Sequence, residues 1–381
     1  METPVIEKIT LEDGSEYEGD LLNGIPHGKG KQKFSNGDIY EGDFSNDKFH
    51  GKGKYTSANG DIYEGDFVDD QFHGKGKMTF SDGILYEGDF VEGEFHGKGK
   101  YTFSNGDIYE GDFVDDQFHG KGRMNFSNKD VYEGDFSHGK MYGKGKYTYS
   151  DGTVYEGDFF DGQETCKGKM TFVNVDITYE GDFVDDQFHG KGKLFSKEGF
   201  EYEGYFLNDK FHGKGKYNFP NGDIYEGDFV EGKFHGKGII TLSIGGSYEG
   251  DFADCKPHGK GILKSTNGEE YEGDIVDGKF HGKGKFTYEN GDIYEGEFID
   301  GAPTGKGKKT YADGSVYEGD FVNGCWDGKG KYTIGELGVI YEGDFLNNVP
   351  HGKGKITLEN GTFYEGNFLN GKKTGKVKYT R

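Results

Sequence analysis

The sequence is dominated by one internal period. The tripeptide Tyr-Glu-Gly occurs 16 times, and successive copies are 23 residues apart except at two steps of 24 residues. One extra loop residue explains each longer step. A fixed period of this length is typical of repeat architectures, in which each copy is one supersecondary unit. The tyrosines that mark the copies are Tyr17, Tyr40, Tyr63, Tyr86, Tyr109, Tyr132, Tyr155, Tyr179, Tyr202, Tyr225, Tyr248, Tyr271, Tyr294, Tyr317, Tyr341 and Tyr364.

Each copy contains two segments with the two-residue alternation of a β-strand. One copy reads YEGDF from Tyr86, a short loop, GKGKYTF from Gly97, and then the dipeptide Asn105-Gly106. Asn-Gly and Asp-Gly are typical of tight hairpin turns that need positive φ, and most copies carry one of them at this place. Two strands and two reversals fill the unit, so no helix fits beside them.

Alternation also assigns the side chains to two faces. Tyr86 and Phe90 share a face with Gly99, so rings are expected to lie over glycines. Glu87 and the following Asp point to the other face, where the lysines of the next segment, Lys100 among them, are placed for cross-strand ion pairs. Such exposed pairs contribute only ~0.2–1 kcal/mol each.

These patterns predict an all-β fold, an elongated single-layer antiparallel β-meander of 16 tandem hairpins that forms a rod or ribbon. At about 9–10 Å per hairpin the array would extend roughly 150 Å. Residues 17–381 are assigned to the repeats, with no other domain. Residues 1–16 are assigned to a leader and half repeat, because KITLEDGSEY from Lys8 echoes KITLENGTFY from Lys355.

Composition restricts the class of protein. The chain has 71 glycines, and its 27 Tyr and 33 Phe are too many rings for a disordered acidic chain. A net charge of -24 repels phosphate backbones, so no nucleic-acid partner is expected. No signal peptide and no apolar run of membrane-spanning length is recognisable. The separated cysteines Cys166, Cys255 and Cys325 argue against a disulfide framework and favour the cytoplasm.

Catalytic and metal chemistry is not expected. Histidines recur at one repeat position, but neighbours about 9–10 Å apart cannot share a zinc ion whose ligands lie close together. We interpret them as packing or bonding within their own loops, with an ion shared between two chains near Cys325 and Asp327 as the alternative. The Gly-Lys-Gly segments lack the P-loop pattern. We therefore predict no enzyme activity, no cofactor and no metal.

Departures from the period are the best candidates for a unique site. They gather in the C-terminal third, where Trp326 takes a loop position held elsewhere mainly by Phe or Pro. Tryptophan often anchors interfaces, and ordinary packing drift is the alternative. The candidate binding residues are Trp326, Tyr317, Phe321, Tyr341, Phe345, Tyr364 and Phe368.

The C-terminal hairpin is also unusually basic. Five cations there either protect a sheet edge from pairing or dock against the acidic turns of another copy, such as Asp69-Asp70, Asp115-Asp116 and Asp185-Asp186. The second interpretation predicts a homodimer through the C-terminal repeats. The cations are Lys372, Lys373, Lys376, Lys378 and Arg381.

The combination of YEGDF, as at Tyr86, with a following HGKG, as at His96, and a 23-residue step resembles the MORN repeat, and the resemblance covers essentially the whole chain. It implies an extended antiparallel sheet with one hairpin per repeat. Proteins built almost entirely of this repeat are associated in protists with cytoskeletal scaffolds and tend to dimerise. The resemblance thus implies a cytoplasmic, cytoskeleton-associated protein with scaffold proteins as partners.

Our leading hypothesis is a non-enzymatic scaffold that mediates protein-protein interaction and self-association. The alternatives are a peripheral membrane module that binds phosphoinositides and an accessory subunit of a lipid kinase. The acidic charge and the lack of a basic amphipathic helix leave room for only weak membrane contact.

Overall fold

The first reversal of each copy is a two-residue turn built from residues in left-handed conformation. The computed structural model describes residues 7–374 and 379–380, without the side chains of residues 165, 166, 379 and 380. Asp115 and Asp116 have φ of 49° and 64°. Positive φ at both positions matches the type I′ turn, whose twist fits that of the flanking strands. The sequence pattern had assigned only a short loop here.

The second reversal lies at the predicted Asn-Gly turn and is wider. Only Gly106 has positive φ there, at 92°. The Gly106 N–H donates to the Phe103 carbonyl at 3.0 Å, and the Phe103 N–H donates to the Asp107 carbonyl at 2.9 Å. The prediction of a turn with positive φ at this dipeptide is confirmed, while the tightest turn of the copy is the other one.

The chain divides into two compact units, Met1–Gln187 and Phe188–Arg381. In the first unit the described strands are β1 (Glu7–Thr10), β2 (Glu16–Leu22), β3 (Ile25–Lys33), β4 (Ile39–Ser45), β5 (Lys48–Thr56), β6 (Ile62–Val68), β7 (Gln71–Thr79), β8 (Leu85–Val91), β9 (Glu94–Thr102), β10 (Ile108–Val114), β11 (Gln117–Asn125), β12 (Val131–Ser137), β13 (Lys140–Thr148), β14 (Val154–Phe160), β15 (Gln163–Phe172) and β16 (Ile177–Val184).

The next strand, β17, starts at the last residue of the first unit, and the others lie in the second. They are β17 (Gln187–Ser196), β18 (Glu201–Leu207), β19 (Lys210–Asn218), β20 (Ile224–Val230), β21 (Lys233–Thr241), β22 (Ser247–Ala253), β23 (Lys256–Lys264), β24 (Glu270–Val276), β25 (Lys279–Thr287), β26 (Ile293–Ile299), β27 (Ala302–Thr310), β28 (Val316–Val322), β29 (Cys325–Ile334), β30 (Val339–Leu346), β31 (Val349–Thr357), β32 (Phe363–Leu369), β33 (Lys372–Thr374) and β34 (Tyr379–Thr380).

Within each unit consecutive strands pair antiparallel in meander order, and β32 pairs with both β33 and β34. The single helical element among the described residues is a three-residue 3-10 turn, Val173–Val175. The predicted all-β antiparallel meander is confirmed. At the two longer steps four residues, 173–176 and 335–338, connect strands of 10 and 8 residues, whereas β9 and β10 have 9 and 7 residues with five between them. The prediction that the extra residue lies in a loop was therefore wrong, because it lengthens the strands.

In these hairpins a β-bulge lies between the two-residue turn and the rest of the strand pair. In the pair β8–β9, Gly88 is opposite Gly99 but the next residue, Asp89, is opposite His96. Gly97 therefore lies in the bulge with its neighbour, at φ 58°. The second strand begins at Glu94, before the glycine at which the sequence pattern started it. Because the bulge contains two residues, the alternation of faces continues across it.

Rings fill one side of the sheet, which we call the ring face. Tyr86 is fully buried, stacks on Phe95 at 3.9 Å between ring centroids, and meets Phe113 of the next copy edge-on at 5.0 Å. A Cβ placed on Gly99 would lie 2.5 Å from Tyr86 Cε2, so the ring lies directly against the glycine backbone. The Tyr86 hydroxyl donates to the Asp89 carbonyl at 2.8 Å. The rings thus lie over glycines, as predicted.

Loops and turns bind neighbouring copies to each other. Asp116 Oδ1 accepts the Phe95 N–H at 2.7 Å, and the Asp116 N–H donates to the Phe95 carbonyl at 3.2 Å. At the opposite end of the strands, Asp107 Oδ1 accepts the Ser127 N–H at 2.7 Å. These backbone contacts give the acidic turns a structural role that the sequence pattern did not reveal.

Candidate functional site: the charged face and its grooves

The side of the sheet opposite the rings, which we call the charged face, carries Glu and Asp from one strand and Lys from the next. Lys75 Nζ lies 2.6 Å from Asp89 Oδ1, and Lys77 Nζ lies 3.0 Å from Glu87 Oε1. Both ion pairs join a copy to the following copy. The prediction of cross-strand ion pairs is correct, but each acidic residue pairs with the preceding hairpin rather than with the lysines of its own.

The aspartate of each copy makes a second contact within its own hairpin. Asp89 Oδ2 accepts the Lys98 N–H at 3.0 Å, at the bulge. Partial burial alone would raise the pKa of Asp89, but the Lys75 ammonium and the Lys98 N–H outweigh it, and the pKa lies below its usual range. The aspartate therefore stays ionised at neutral pH and holds the bulge to the preceding copy.

The glutamates form a second row of pairs on the same face. All of these pairs are largely exposed, so each contributes little stability. The described pairs in this row are Lys8–Glu18, Lys31–Glu41, Lys54–Glu64, Lys77–Glu87, Lys100–Glu110, Arg123–Glu133, Lys146–Glu156, Lys169–Glu180 and Lys331–Glu342.

Two open grooves lie on the charged face of the second unit. The larger, of about 1110 Å³, is lined by side chains of four successive copies between Glu203 and Gly273, and we call it the Ile groove. The smaller, of about 720 Å³, is lined between Glu295 and Glu342, and we call it the Lys groove. Ligand pockets commonly measure roughly 300–1,000 Å³, so both can hold several side chains of a partner.

The two grooves differ at one repeat position. In the Ile groove, Ile239 and Ile262 occupy the place of the second lysine of Gly-Lys-Gly-Lys, and both are cross-strand neighbours of Glu249. In the Lys groove the matching Glu318 lies between Lys308 and Lys331. Within the described strand pairs, Glu249 is the one Tyr-Glu-Gly glutamate with no cation directly opposite it on either neighbouring strand. The sequence pattern contained this departure, but we did not single it out.

A second departure lies on the ring face of the first unit. Glu164 takes the place of the stacking ring, and its Oε1 accepts the Tyr149 hydroxyl at 2.7 Å. Its Oε2 is buried and has no hydrogen-bond partner in the described part of the chain. Burial raises the pKa of Glu164 to about 7, helped by the nearby Asp186 and opposed by the Tyr149 hydrogen bond.

The histidine position lies inside the second strand of each hairpin. His96 Nδ1 is 4.0 Å from Asp115 Oδ1, and His258 Nδ1 is 3.9 Å from Asp277 Oδ1. These two rings approach the turn of the following copy, and the interpretation that the histidines pack in or bond to their own loops stays a prediction. In residues 7–374 and 379–380, no three His, Cys, Asp or Glu side chains are arranged to hold a metal ion.

Two of the three cysteines have described side chains. Cys255 is exposed in a turn and Cys325 is half-buried, and both are free thiols. The side chain of Cys166 lies outside the described residues. No helix in the part of the chain that the structure describes is long and apolar enough to cross a bilayer.

The predicted binding residues all lie on the ring face. Trp326 belongs to β29 rather than to a loop, is 8% exposed and stacks on Tyr317 at 4.2 Å. It therefore takes the place of the phenylalanine that covers the tyrosine in other copies. Their packing gives these rings a structural role, and their role in binding stays a prediction. The other six, which are also buried, are Tyr317, Phe321, Tyr341, Phe345, Tyr364 and Phe368.

A family model described as the MORN repeat matches sixteen consecutive segments of the chain, from residues 17–39 to residues 364–381. The chain belongs to the MORN repeat family. The MORN segments begin at the tyrosines of the repeated tripeptide, so each begins in the first strand of one hairpin. MORN repeats typically serve as protein-binding or scaffold modules.

Solved structures give weak likenesses to this MORN array. The TCP domain of Drosophila melanogaster SAS-4, solved with a proline-rich motif of Ana2, is 17% identical with a TM-score of 0.27, over 44% of this chain and 85% of that chain. The TCP10 domain of Danio rerio CPAP is 12% identical with a TM-score of 0.24, over 58% and 94%. Scores this low carry no argument about function. No curated protein matches the chain.

Proposed function

We propose that this chain is a non-enzymatic scaffold that binds other proteins along its charged face and associates with itself, in the cytoplasm and at a cytoskeletal structure. One observation carries the proposal. The ring face is filled by its own aromatic side chains, whereas the charged face holds open grooves of about 1110 Å³ and about 720 Å³. A partner therefore finds its contacts on the charged face.

The non-enzymatic role is supported by the periodicity of the polar side chains. Carboxylates and lysines recur from copy to copy on an exposed surface, whereas acid-base catalysis needs one distinctive site with perturbed groups and a substrate cavity. Glu164 has a raised pKa, but its hydrogen-bonded oxygen contacts Tyr149 within the packed ring face. A tandem array of similar binding surfaces is suited to holding several partners in order.

Proximity labelling with the full chain in its native cell tests this function. We expect cytoskeletal proteins among the labelled neighbours. The rival function, phosphoinositide binding, predicts strong and salt-sensitive sedimentation with phosphoinositide vesicles. Strong sedimentation of that kind, with no labelled cytoskeletal protein, would overturn the scaffold proposal.

Self-association through the C-terminal repeats is the second part of the proposal. It is supported by the exposed Lys372 and Lys373, which give this end cations that can meet the acidic turns of another copy. The other cations of the cluster, Lys376, Lys378 and Arg381, lie outside the described residues. The same charge complementarity predicts a salt-sensitive dimer.

Light scattering after size-exclusion chromatography tests the dimer in the full chain. We expect twice the monomer mass for the unmodified chain and the monomer mass for Lys372→Glu combined with Lys373→Glu. The matched control is Lys33→Glu combined with Lys48→Glu, two exposed lysines near the other end, which should leave the dimer intact. A monomeric unmodified chain, or a dimer that survives the C-terminal reversal, excludes this mode of association.

A further inference from the structure

The Ile groove has a chemistry that the rest of the charged face lacks. Ile239 is 42% exposed and Ile262 is half-buried, on strands that flank Glu249 from both sides. With strands about 4.8 Å apart, the two isoleucines lie about 9–10 Å from each other across the glutamate. An exposed carboxylate between two aliphatic side chains is thus presented to the groove.

The charge of the groove is not balanced by its own lysines. Three of the four lysines that line it are held by aspartates outside the lining, at 2.6–2.7 Å. The fourth, Lys216, lies opposite Glu203 and Glu226. Glu272 lies opposite Lys285, outside the lining, so Glu249 alone of the four lining glutamates has no lysine opposite it. The three aspartate pairs are Lys214–Asp228, Lys237–Asp251 and Lys260–Asp274. The glutamates of the lining are Glu203, Glu226, Glu249 and Glu272.

The fold does not require the two isoleucines at this position. In the other described hairpins a lysine or arginine there is compatible with the same strand pairing, so the sheet does not require an aliphatic side chain. Exposing isoleucine to water costs free energy that burial against a partner recovers. Loss of the lysines also leaves Glu249 free to pair with a cation supplied by that partner.

We propose that the Ile groove binds a protein segment that carries a lysine or arginine flanked by aliphatic side chains. The cation pairs with Glu249, and the flanking side chains pack on Ile239 and Ile262. This inference deepens the scaffold function proposed above by naming one partner chemistry, and it rests on that function. The Lys groove does not bind the same segment, because Lys308 and Lys331 repel the cation and already surround Glu318.

Fluorescence polarisation with the full-length chain tests the proposal. The probe is the fluorescein-labelled peptide Leu-Lys-Leu-Lys-Leu, and the comparison peptides are Ser-Lys-Ser-Lys-Ser and Leu-Glu-Leu-Glu-Leu. We expect saturable binding of the probe to one site and at least about tenfold weaker binding of each comparison peptide, because one lacks the aliphatic contacts and the other the cation. Equal binding of the probe and the serine peptide would reduce the interaction to general attraction by an acidic chain and overturn the proposal.

Variants of both grooves locate the site. Ile239→Lys combined with Ile262→Lys restores the usual repeat residues, so it should fold, and we expect it to weaken probe binding at least about tenfold. Lys308→Ile combined with Lys331→Ile should create a second equivalent site in the Lys groove. Unchanged circular dichroism and thermal unfolding establish that both variants are folded.

Three outcomes would overturn the proposal. The first is undiminished probe binding after the isoleucine replacements, and the second is unchanged binding stoichiometry after the lysine replacements. The third is binding of phosphatidylcholine vesicles that depends on the two isoleucines, which would assign the groove to lipid. None of them affects the proximity-labelling result, so failure of this inference is distinguishable from failure of the scaffold function.

Discussion

The residues on the ring face and those on the charged face of one hairpin recur in the sequence with equal regularity. Different forces hold the two sets of side chains in place. On the ring face, Tyr86 is fully buried against two glycines, and its hydroxyl ends on a backbone carbonyl. On the charged face, Glu87 and Lys77 form an ion pair in which both side chains are about half exposed. Regularity of sequence therefore does not measure energetic importance.

The difference also teaches where a binding site can develop. A change on the ring face disturbs rings of the same copy and of the next one, because a tyrosine such as Tyr86 meets phenylalanines of both. On the charged face an ion pair can be lost at little cost, as at Ile239 and Ile262. The charged face can therefore change its chemistry locally while the hairpin stays the same.

The largest expected effect is at a fully buried phenylalanine. Phe90 meets Tyr86 at 5.1 Å and Tyr63 of the preceding copy at 4.9 Å, both edge-on. We expect Phe90→Ala to lower the free energy of unfolding by about 4 kcal/mol, measured by chemical denaturation. Glu87→Ala, on the other face of the same strand, is the control and should cost below about 1 kcal/mol. Similar losses for the two variants would break the distinction between the faces.

Adjacent residues of β9 give a sharper comparison. We expect Gly99→Ala to cost about 3 kcal/mol, because its Cβ would overlap the Tyr86 ring, which has no space to move. Lys100→Ala in the next position removes only an exposed ion pair with Glu110 and should cost below about 1 kcal/mol. Chemical denaturation of both variants in the same buffer measures the two free energies of unfolding. A Gly99→Ala variant as stable as Lys100→Ala would contradict the close contact between Gly99 and the Tyr86 ring.

The tyrosine hydroxyl should contribute less than the ring. Tyr86→Phe keeps the stacking on Phe95 and removes the hydrogen bond to the Asp89 carbonyl. We expect a loss of about 1 kcal/mol in the free energy of unfolding. Tyr101→Phe, in which the altered hydroxyl belongs to a partly exposed ring, serves as the comparison. A cost of several kcal/mol would mean that the hydroxyl, rather than the ring, holds the bulge.

The smallest expected effect is a dependence of stability on pH from Glu164. Its folded pKa of about 7 lies above the usual 4.5, so the folded state favours the protonated form. The stabilisation is complete below about pH 4.5 and is lost as the pH rises through about 7. Denaturation midpoints at pH 5 and pH 8 should therefore differ more for the unmodified chain than for Glu164→Gln. Partial exposure to water keeps the effect small.

The control for this pH effect is Glu156→Gln, on the charged face of the neighbouring strand. It removes an exposed carboxylate of the ion-pair row and should leave the pH dependence as it is in the unmodified chain. The same flattening in both variants would show that the dependence is a property of total charge rather than of the buried side chain.

The repeated tripeptide and its alternation were sufficient to predict the strands, the ring-over-glycine packing and the opposite charged face. They failed at the hairpin end, because the bulge at Gly97 and the early start of β9 depend on hydrogen bonds that alternation does not encode. They also failed at Trp326, which belongs to a strand and packs on Tyr317. Its unusual residue type was visible in the sequence. The two grooves could not be predicted, because their lining depends on which strands are neighbours.

By itself the sequence determined the local unit, since periods of 23 and of two residues fix which side chains share a face and how many hairpins there are. The tertiary structure decided which residues those side chains pair with. Asp82 is closer to Lys77 along the chain than Glu87 is, but the strand register brings Lys77 to Glu87 of the following copy. Register likewise placed Ile239 and Ile262 on either side of Glu249. Glu249 and its two isoleucine neighbours are 10 and 13 residues apart along the chain, and only folding sets them side by side.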